Sequence, residues 1–223
     1  MRPVTSAYGD TIDLGSHEWG YEQGLADLNY EVADGPQDED VLGMTTSLDD
    51  LIQGTPEDDI LMGGLGDDTV QSFGGADYLD AGPGDDFVIA DNTTGQVLAG
   101  SGDDYVYVTG GAATISLGSG ADSLEFVAFG KGEPFGVHRV LDYDVFEDGP
   151  LNITAYLDAM DPGNVPNLDS NGDGVIDAAD RGVAVVDGTM FIDLAIAWYH
   201  DLPIGSSVIA LDGVASLPLD VIG

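Results

Sequence analysis

The chain has 223 residues, which is enough to bury a core as one elongated unit or as two small domains. It carries 42 acidic residues against four basic ones, for a formal net charge of -38. This charge excludes nucleic acid and anionic membrane surfaces as partners, because both are bound by clusters of Lys and Arg that the sequence lacks. With 43% hydrophobic residues, the chain is too apolar for a charge-dominated disordered tail, so we expect a fold that depends on cations.

Residues 1–44 are predicted to form an N-terminal β cap. Gly9 and Asp10 are typical of a turn before a short strand, and Val41 and Leu42 lead into the next segment. His17-Glu18 could open a zinc-protease helix, but the required second histidine is replaced by Tyr21. We therefore expect His17 to be an exposed or packed side chain without a metal.

Eight consecutive segments of nine residues follow over residues 54–125, without insertion or deletion. Every eighth position is apolar, which predicts a buried ladder: Leu61, Val70, Leu79, Val88, Val97, Val106, Ile115 and Leu124. The fourth position is glycine in six of the eight segments, which permits a tight turn before each short strand. A flexible acidic linker would explain the composition but not the unbroken apolar column, and no threonine row indicates an ice-binding solenoid.

The pattern resembles the calcium-binding nonapeptide of the RTX, or hemolysin-type, family, with the consensus G-G-x-G-x-D-x-U-x. The resemblance implies an all-β fold: a parallel β-roll, or right-handed β-helix of nonapeptide repeats, over residues 45–125, with β-rich caps at 1–44 and 126–223. It also implies that two segments make one coil, and that each calcium ion is shared by aspartates two segments apart. Carried over to this sequence, it gives one continuous column, Asp68, Asp86, Asp104 and Asp122.

On the opposite face the resemblance implies a single pair, Asp59 and Asp77, because Gly95 and Ala113 replace the next aspartates. Calcium is therefore expected on one side only beyond the second coil. A degenerate segment at 45–53 precedes the array and places Asp50 where it could either join Asp68 in a further site or form a capping turn. Carboxylate and carbonyl ligands favour calcium over zinc or copper, and we expect folding to be coupled to calcium.

A second calcium loop is predicted at residues 169–180. It matches the EF-hand template through Asp169, Asn171, Asp173, Asp177 and the carbonyl of Val175, while Asp180 stands where the template has Glu. The segment resembles one loop of a dockerin module, although only one such loop is present and the following residues are β-branched. We expect this loop to bind one ion that fixes a long connection between strands; the alternative is an Asn/Asp/Gly turn without an ion. In all, we expect about five or six calcium ions per chain.

The stretches 137–145, 183–198 and 206–211 resemble the β-rich cap that follows RTX repeats, with a hairpin at 183–198. Residues 219–223 look like the end of an uncleaved type I secretion signal, or else an ordinary terminal strand. No Gly-x-Ser-x-Gly elbow, His-Glu-x-x-His helix or phosphate-binding loop occurs, so no catalytic activity is predicted.

The sequence therefore predicts a secreted protein of the cell exterior or cell surface, exported by type I secretion machinery and not inserted into a membrane. It would be a calcium-folded, non-catalytic structural or interaction protein, with a matrix component or further copies of itself as partners. The alternative is that it serves as the C-terminal export and folding module of a larger secreted hydrolase or epimerase. A cohesin-type partner for the 169–180 loop is a weaker option.

Overall fold

A computed structural model describes residues 4–5, 11–12, 31–32, 40–42, 48–129, 136–156, 168–197 and 204–218. The described residues form twenty strands and one short helix: β1 (Val4–Thr5), β2 (Thr11–Ile12), β3 (Glu31–Val32), β4 (Asp40–Leu42), β5 (Leu51–Gln53), β6 (Asp59–Met62), β7 (Thr69–Gln71), β8 (Tyr78–Pro83), β9 (Phe87–Ala90), β10 (Gln96–Ser101), β11 (Tyr105–Val108), β12 (Thr114–Ser119), β13 (Ser123–Phe129), β14 (Gly136–Val140), β15 (Leu151–Tyr156), β16 (Val175–Ile176), β17 (Val183–Val186), β18 (Thr189–Asp193), α1 (Leu194–Ala197), β19 (Ser207–Asp212) and β20 (Leu217–Pro218). No helix among them is long and apolar enough to cross a membrane.

Alternate segments of the repeat lie in two parallel sheets. One contains β4, β6, β8, β10, β12 and β14, and the other contains β3, β5, β7, β9, β11, β13 and β15. Val97 pairs with Leu79 on one side and with Ile115 on the other, so each coil advances the chain by two nonapeptides. The predicted parallel β-roll is confirmed, and its sheets extend beyond the array in both directions.

The predicted apolar ladder forms the centre of the roll. All eight side chains at the eighth position of the segments are fully buried. The first position of each segment is buried as well in the later coils, where Ala81, Ala90, Ala99, Val108 and Leu117 occupy it. A strand of only four to six residues therefore contributes two inward side chains, and stacking of the coils joins them into one core.

Glycine is required where successive turns approach each other. Gly100 has φ +127, and a Cβ added to it would lie 1.7 Å from the carbonyl oxygen of Gly82 in the preceding coil. Gly84 stands in the same relation to Gly66. The turns thus stack with their backbones in direct contact, which no other residue type permits.

The C-terminal strands continue the core of the roll and cover its end. β19 pairs in parallel with β14, and the antiparallel hairpin of β17 and β18 then closes that sheet. Side chains from this region, including Met190, Ile192 and Leu211, belong to the same buried cluster as the array. The predicted hairpin is confirmed in its strands.

Two strands of the cap are shorter than their sequence patterns indicate. The stretch 183–198 is not a strand to its end, because the Asp193 carboxylate accepts a hydrogen bond from the Ala195 amide and α1 begins there. The stretch 137–145 is a strand only as far as Val140, after which Asp142 turns toward the last glycine turn of the array.

Several expectations fall outside the described residues. They are most of the N-terminal cap with His17, residues 45–47 of the degenerate segment, Trp198, and the secretion-signal candidate at 219–223.

Candidate metal centre

The sixth-position aspartates of one face form a continuous inner row. In each, Oδ1 accepts a hydrogen bond from the backbone N–H of the aspartate one coil earlier. The distances are 2.8 Å from Asp50 N to Asp68, 2.7 Å from Asp68 N to Asp86, 2.8 Å from Asp86 N to Asp104, and 2.9 Å from Asp104 N to Asp122. The structure therefore brings together the four aspartates that the sequence placed in this column, and it adds Asp50, for which the sequence left a capping turn open.

The second carboxylate oxygen in this row is buried and lacks a hydrogen-bond donor. This holds for Oδ2 of Asp68, Asp86, Asp104 and Asp122, each residue being no more than 2% exposed. A buried carboxylate without a donor is costly unless a proton or a cation neutralises it. Protein atoms alone therefore leave the negative charge of these buried oxygens without a neutralising partner.

The pKa values of these aspartates are raised, as expected for buried carboxylates whose negative charge is not neutralised. Burial raises the pKa of Asp68 and of Asp122 to about 6 and that of Asp104 to about 7, from an ordinary value of 3.8. For Asp68 and Asp104, the neighbouring carboxylates of the row contribute to the raised pKa, while the hydrogen bond from the backbone amide of the preceding aspartate acts in the opposite direction. Burial also raises the pKa of Asp86.

The opposite face has a pair of aspartates followed by uncharged groups. Asp59 N–H donates to Asp77 Oδ1 at 3.0 Å, and Asp77 Oδ2 is buried without a donor. In the next coil the Thr93 hydroxyl, not a carboxylate, accepts the Asp77 amide at 3.2 Å. Two coils further on, His138 Nδ1 accepts the Ala113 amide at 3.2 Å.

His138 carried no motif in the sequence, yet it is fully buried and its ring packs against Phe126. Acceptance of the Ala113 amide by Nδ1 places the proton of a neutral imidazole on Nε2. The amides of Asp77 and Ala113 thus still find an acceptor in the next coil, but the acceptor is neutral: a hydroxyl in Thr93 and an imidazole in His138.

Sequence reasoning missed an outer row at the fifth position of the segments. There the hydrogen bonds run in the opposite direction: Oδ1 of Asp49, Asp67, Asp85 and Asp103 accepts from the residue one coil later, at 3.1, 2.9, 2.8 and 2.9 Å. The signal was present, because these aspartates also recur at intervals of eighteen residues. They are more exposed than the inner row and bracket the turns from outside.

The loop at 169–180 is held by its own carboxylates. Asp169 accepts the amides of Gly172, Asp173 and Gly174, and Asp180 accepts those of Ser170, Asn171 and Asp177. Burial alone would raise the pKa of Asp180, but these hydrogen bonds outweigh it and hold that pKa below its ordinary value. The pairing of β16 with β20 anchors the loop to the last described strand.

Comparison with protein families identifies the array. Residues 46–88 and 96–125 match the family model of the RTX calcium-binding nonapeptide repeat, in four copies. The array is an RTX calcium-binding repeat. The interval between the matches, 89–95, contains the turn in which Thr93 and Gly95 depart from the pattern. No curated protein matches the chain.

The residues of this RTX array fit calcium. Oδ2 atoms without donors supply hard anionic oxygen, and the close-packed glycine turns bring backbone carbonyls to the same edge. In the described residues, no three His, Cys, Asp or Glu side chains form a cluster that could hold a metal by themselves, either in the array or in the 169–180 loop. Calcium takes six to eight oxygens, so an ion in the row needs turn carbonyls besides two aspartates.

Proposed function

We propose that this protein is a secreted, calcium-folded structural or interaction protein of the cell exterior, without catalytic activity. One observation carries the proposal: the inner row places four consecutive carboxylate oxygens in the interior without a donor. RTX repeats bind calcium, and a calcium ion between successive aspartates would neutralise these oxygens and tie each coil to the next.

The ion sites that we assign in the array lie between neighbours of the inner row, Asp50 to Asp122, and between Asp59 and Asp77. The loop at 169–180 adds one more, with Asp169, Asn171, Asp173, the carbonyl of Val175, Asp177 and Asp180 as its ligands. This makes six proposed sites. Thr93 and His138 would leave the rest of the second face without calcium.

A dependence of folding on calcium would serve the export of the chain. Without the ion, the row repels itself and the short strands gain too little from burial to offset the entropy of the chain. In the low calcium of a cytosol the chain would stay open for type I secretion, and the millimolar calcium outside would fold it by mass action. The exposed ring of Phe87 and the half-buried ring of Tyr105, in edge-to-face contact with 5.4 Å between ring centroids, offer an outer surface to a matrix partner or a second copy.

A calcium titration of two single-charge variants tests the calcium-folding part of this proposal. Asp86→Asn removes one inner carboxylate, and the adjacent Asp85→Asn removes one carboxylate of the outer row as the matched control. We expect Asp86→Asn to raise the calcium concentration needed for half-folding by about tenfold or more and to lower the number of bound ions, because Asp86 would serve two sites. Circular dichroism and isothermal titration calorimetry measure the two quantities.

Asp85→Asn should behave like the wild type in both measurements. A wild-type chain that is fully folded in chelator and gains no structure with calcium would contradict the proposal. The alternative function, an export and folding module of a larger hydrolase or epimerase, shares the calcium behaviour. An in-frame catalytic domain in the native gene would favour it.

A further inference from the structure

The outer surface of the nine-stranded sheet is nearly free of charge. This sheet has the strand order β17-β18-β19-β14-β12-β10-β8-β6-β4. On β6, β8, β10 and β12, two outward positions per strand alternate with the buried ladder and pair from strand to strand, from Ile60 and Met62 to Thr114 and Ser116. Asp80 is the one charged residue at these positions, in a chain with 42 acidic residues. We call the outer surface of this sheet the neutral face.

The cap strands extend the neutral face with little additional net charge. Arg139 of β14 and Asp212 of β19 form a salt bridge, with 2.8 Å between Nη2 and Oδ2. Asp193 stands at the end of β18, where its carboxylate accepts the amides of Ala195 and Gly205. In the array, most other acidic residues lie at the turns, outside this face. The neutral face therefore continues from the array into the cap.

Large apolar side chains are exposed on the neutral face. Five of them lie in strands of this sheet or directly after one, at 36% to 55% exposure: Met62, Val137, Leu141, Val186 and Phe191. Among the described strands of the other sheet, Phe87 alone is exposed in this way. There, polar side chains bond to each other along the sheet, because Gln53 donates to Gln71 and Tyr105 donates to Glu125. The neutral face therefore exposes more apolar surface than the outer side of the other sheet.

The charge of the chain limits what can cover the neutral face. A polyanion is repelled by the formal net charge of -38, and a polycation would bind the acidic turns instead. Two copies of the chain repel each other in most orientations, because their acidic turns meet. Face to face, they bring together two surfaces that are apolar and nearly uncharged, and the acidic turns stay at the rim in water.

The size of the neutral face fits a second copy. Nine strands spaced at about 4.8 Å span about 40 Å, and four or five residues at about 3.3 Å each span about 15 Å. The face thus covers roughly 600 Å², at the lower end of the range of about 600 to 1,000 Å² that each partner buries in a specific pair. Two sheets pack in this way at about 10 Å from each other, as in a β-sandwich.

We propose that two copies of this chain associate through their neutral faces. The pairing is isologous, so that each copy presents the same side chains to the other. The proposal rests on the calcium-folded structural role given above and names the partner that this role leaves open. The outer side of the other sheet, with Phe87, remains available to a matrix partner.

Sedimentation equilibrium of the full chain in saturating calcium tests the pairing. Between about 1 and 100 μM, the average mass should rise from one chain to two. Raising NaCl from about 0.1 to about 0.5 M should favour the pair, because salt screens the repulsion between two chains of like charge. A single-chain mass over the whole range would overturn the proposal. So would dissociation by salt, the result expected if calcium bridged the acidic turns of two copies.

Phe191→Asp and Phe87→Asp form a matched pair of variants. Both phenylalanines are outward-facing strand residues, 37% and 38% exposed, but they lie in different sheets. Phe191→Asp should raise the dissociation constant of the pair at least about tenfold, because it buries an unpaired charge. Phe87→Asp should change it by less than about twofold. Met62→Asp, at the other end of the neutral face, repeats the test away from the cap hairpin. Equal effects of Phe191→Asp and Phe87→Asp on the pair would contradict the assignment to this face.

Circular dichroism of the same samples separates the pairing from the calcium-folding role. A chain that folds with calcium but stays single refutes the pairing alone. A chain that gains no structure with calcium refutes the proposed function, while its sedimentation still decides the pairing.

Discussion

Each inner aspartate has two tasks, and its two oxygens divide them. From Asp68 to Asp122, Oδ1 accepts the amide of the preceding coil, whereas Oδ2 is buried without a donor. An amide such as asparagine could perform the first task, but only a carboxylate supplies the charge for the second. The separation explains why substitution to asparagine isolates the role of the cation from that of the hydrogen bond.

Thr93 gives an opportunity to restore a site on the calcium-poor face. Its fully buried hydroxyl accepts the Asp77 amide, at the point where the row would continue. We predict that Thr93→Asp adds one calcium ion per chain, because the new carboxylate would lie beside the donor-free Oδ2 of Asp77. In chelator the same variant should be less stable than the wild type, since it buries a further charge.

Thr94→Asp is the control, because Thr94 is exposed and adjacent in sequence. Stoichiometry by isothermal titration calorimetry and unfolding by urea in chelator measure the two effects. If Thr93→Asp binds no additional ion while remaining folded, the position of the inner row does not determine where calcium binds.

The coils can stack because their glycine turns allow the backbones of successive coils to come into direct contact. We predict that Gly100→Ala lowers the free energy of unfolding in saturating calcium by at least about 2 kcal/mol more than Gly188→Ala. Both glycines have positive φ, +127 at Gly100 and +85 at Gly188, so both substitutions strain the backbone, but of the two only Gly100 faces a carbonyl at 1.7 Å from its added Cβ. Gly188 has nothing within 4 Å.

Urea unfolding curves of the two variants provide this measurement, and a larger loss for Gly100→Ala is the result expected from the close approach of the coils. Equal destabilisation would mean that the turns can separate without cost. The predicted stacking of the carbonyls around an ion would then lose its support.

The sequence predicted these coils because one nine-residue frame governs the turn, the strand and the row. The same frame could not predict the cap. There β14 pairs at an offset of 25 residues, Thr114 with Arg139, and β15 at an offset of 27, Leu124 with Leu151. Compared with the 18-residue coils of the array, these coils are longer by seven and nine residues, so the contacts of His138 with Ala113 and of Asp148 with Asp122 appear only in three dimensions.

At the scale of the whole molecule, the formal charge of -38 opposes every compact state. Six calcium ions would reduce it only to about -26, so the ions act mainly on the buried carboxylates and not on the total. The remaining negative charge is spread over the surface and, outside the neutral face, would keep chains apart and soluble. The effect of the buried carboxylates on folding can be tested by varying the pH.

In chelator, the chain should be more folded at pH 5 than at pH 7.5. Asp68, Asp77 and Asp122 have pKa values raised to about 6, and Asp104 to about 7, mainly by burial. A carboxyl with a raised pKa in the folded state favours folding when protonated. Its contribution is complete below its ordinary pKa of 3.8 and is lost as the pH rises through 6 to 7.

Circular dichroism against pH, with and without calcium, measures this effect. Calcium should reverse the trend, because protons compete with the ion for the same oxygens. Asp104→Asn, a neutral mimic of the protonated residue, should remain folded in chelator to a higher pH than the wild type. Asp103→Asn, which removes a neighbouring carboxylate of the outer row, should not. If chelated wild type became more stable between pH 5 and pH 7.5, the buried row could not be what prevents folding without calcium.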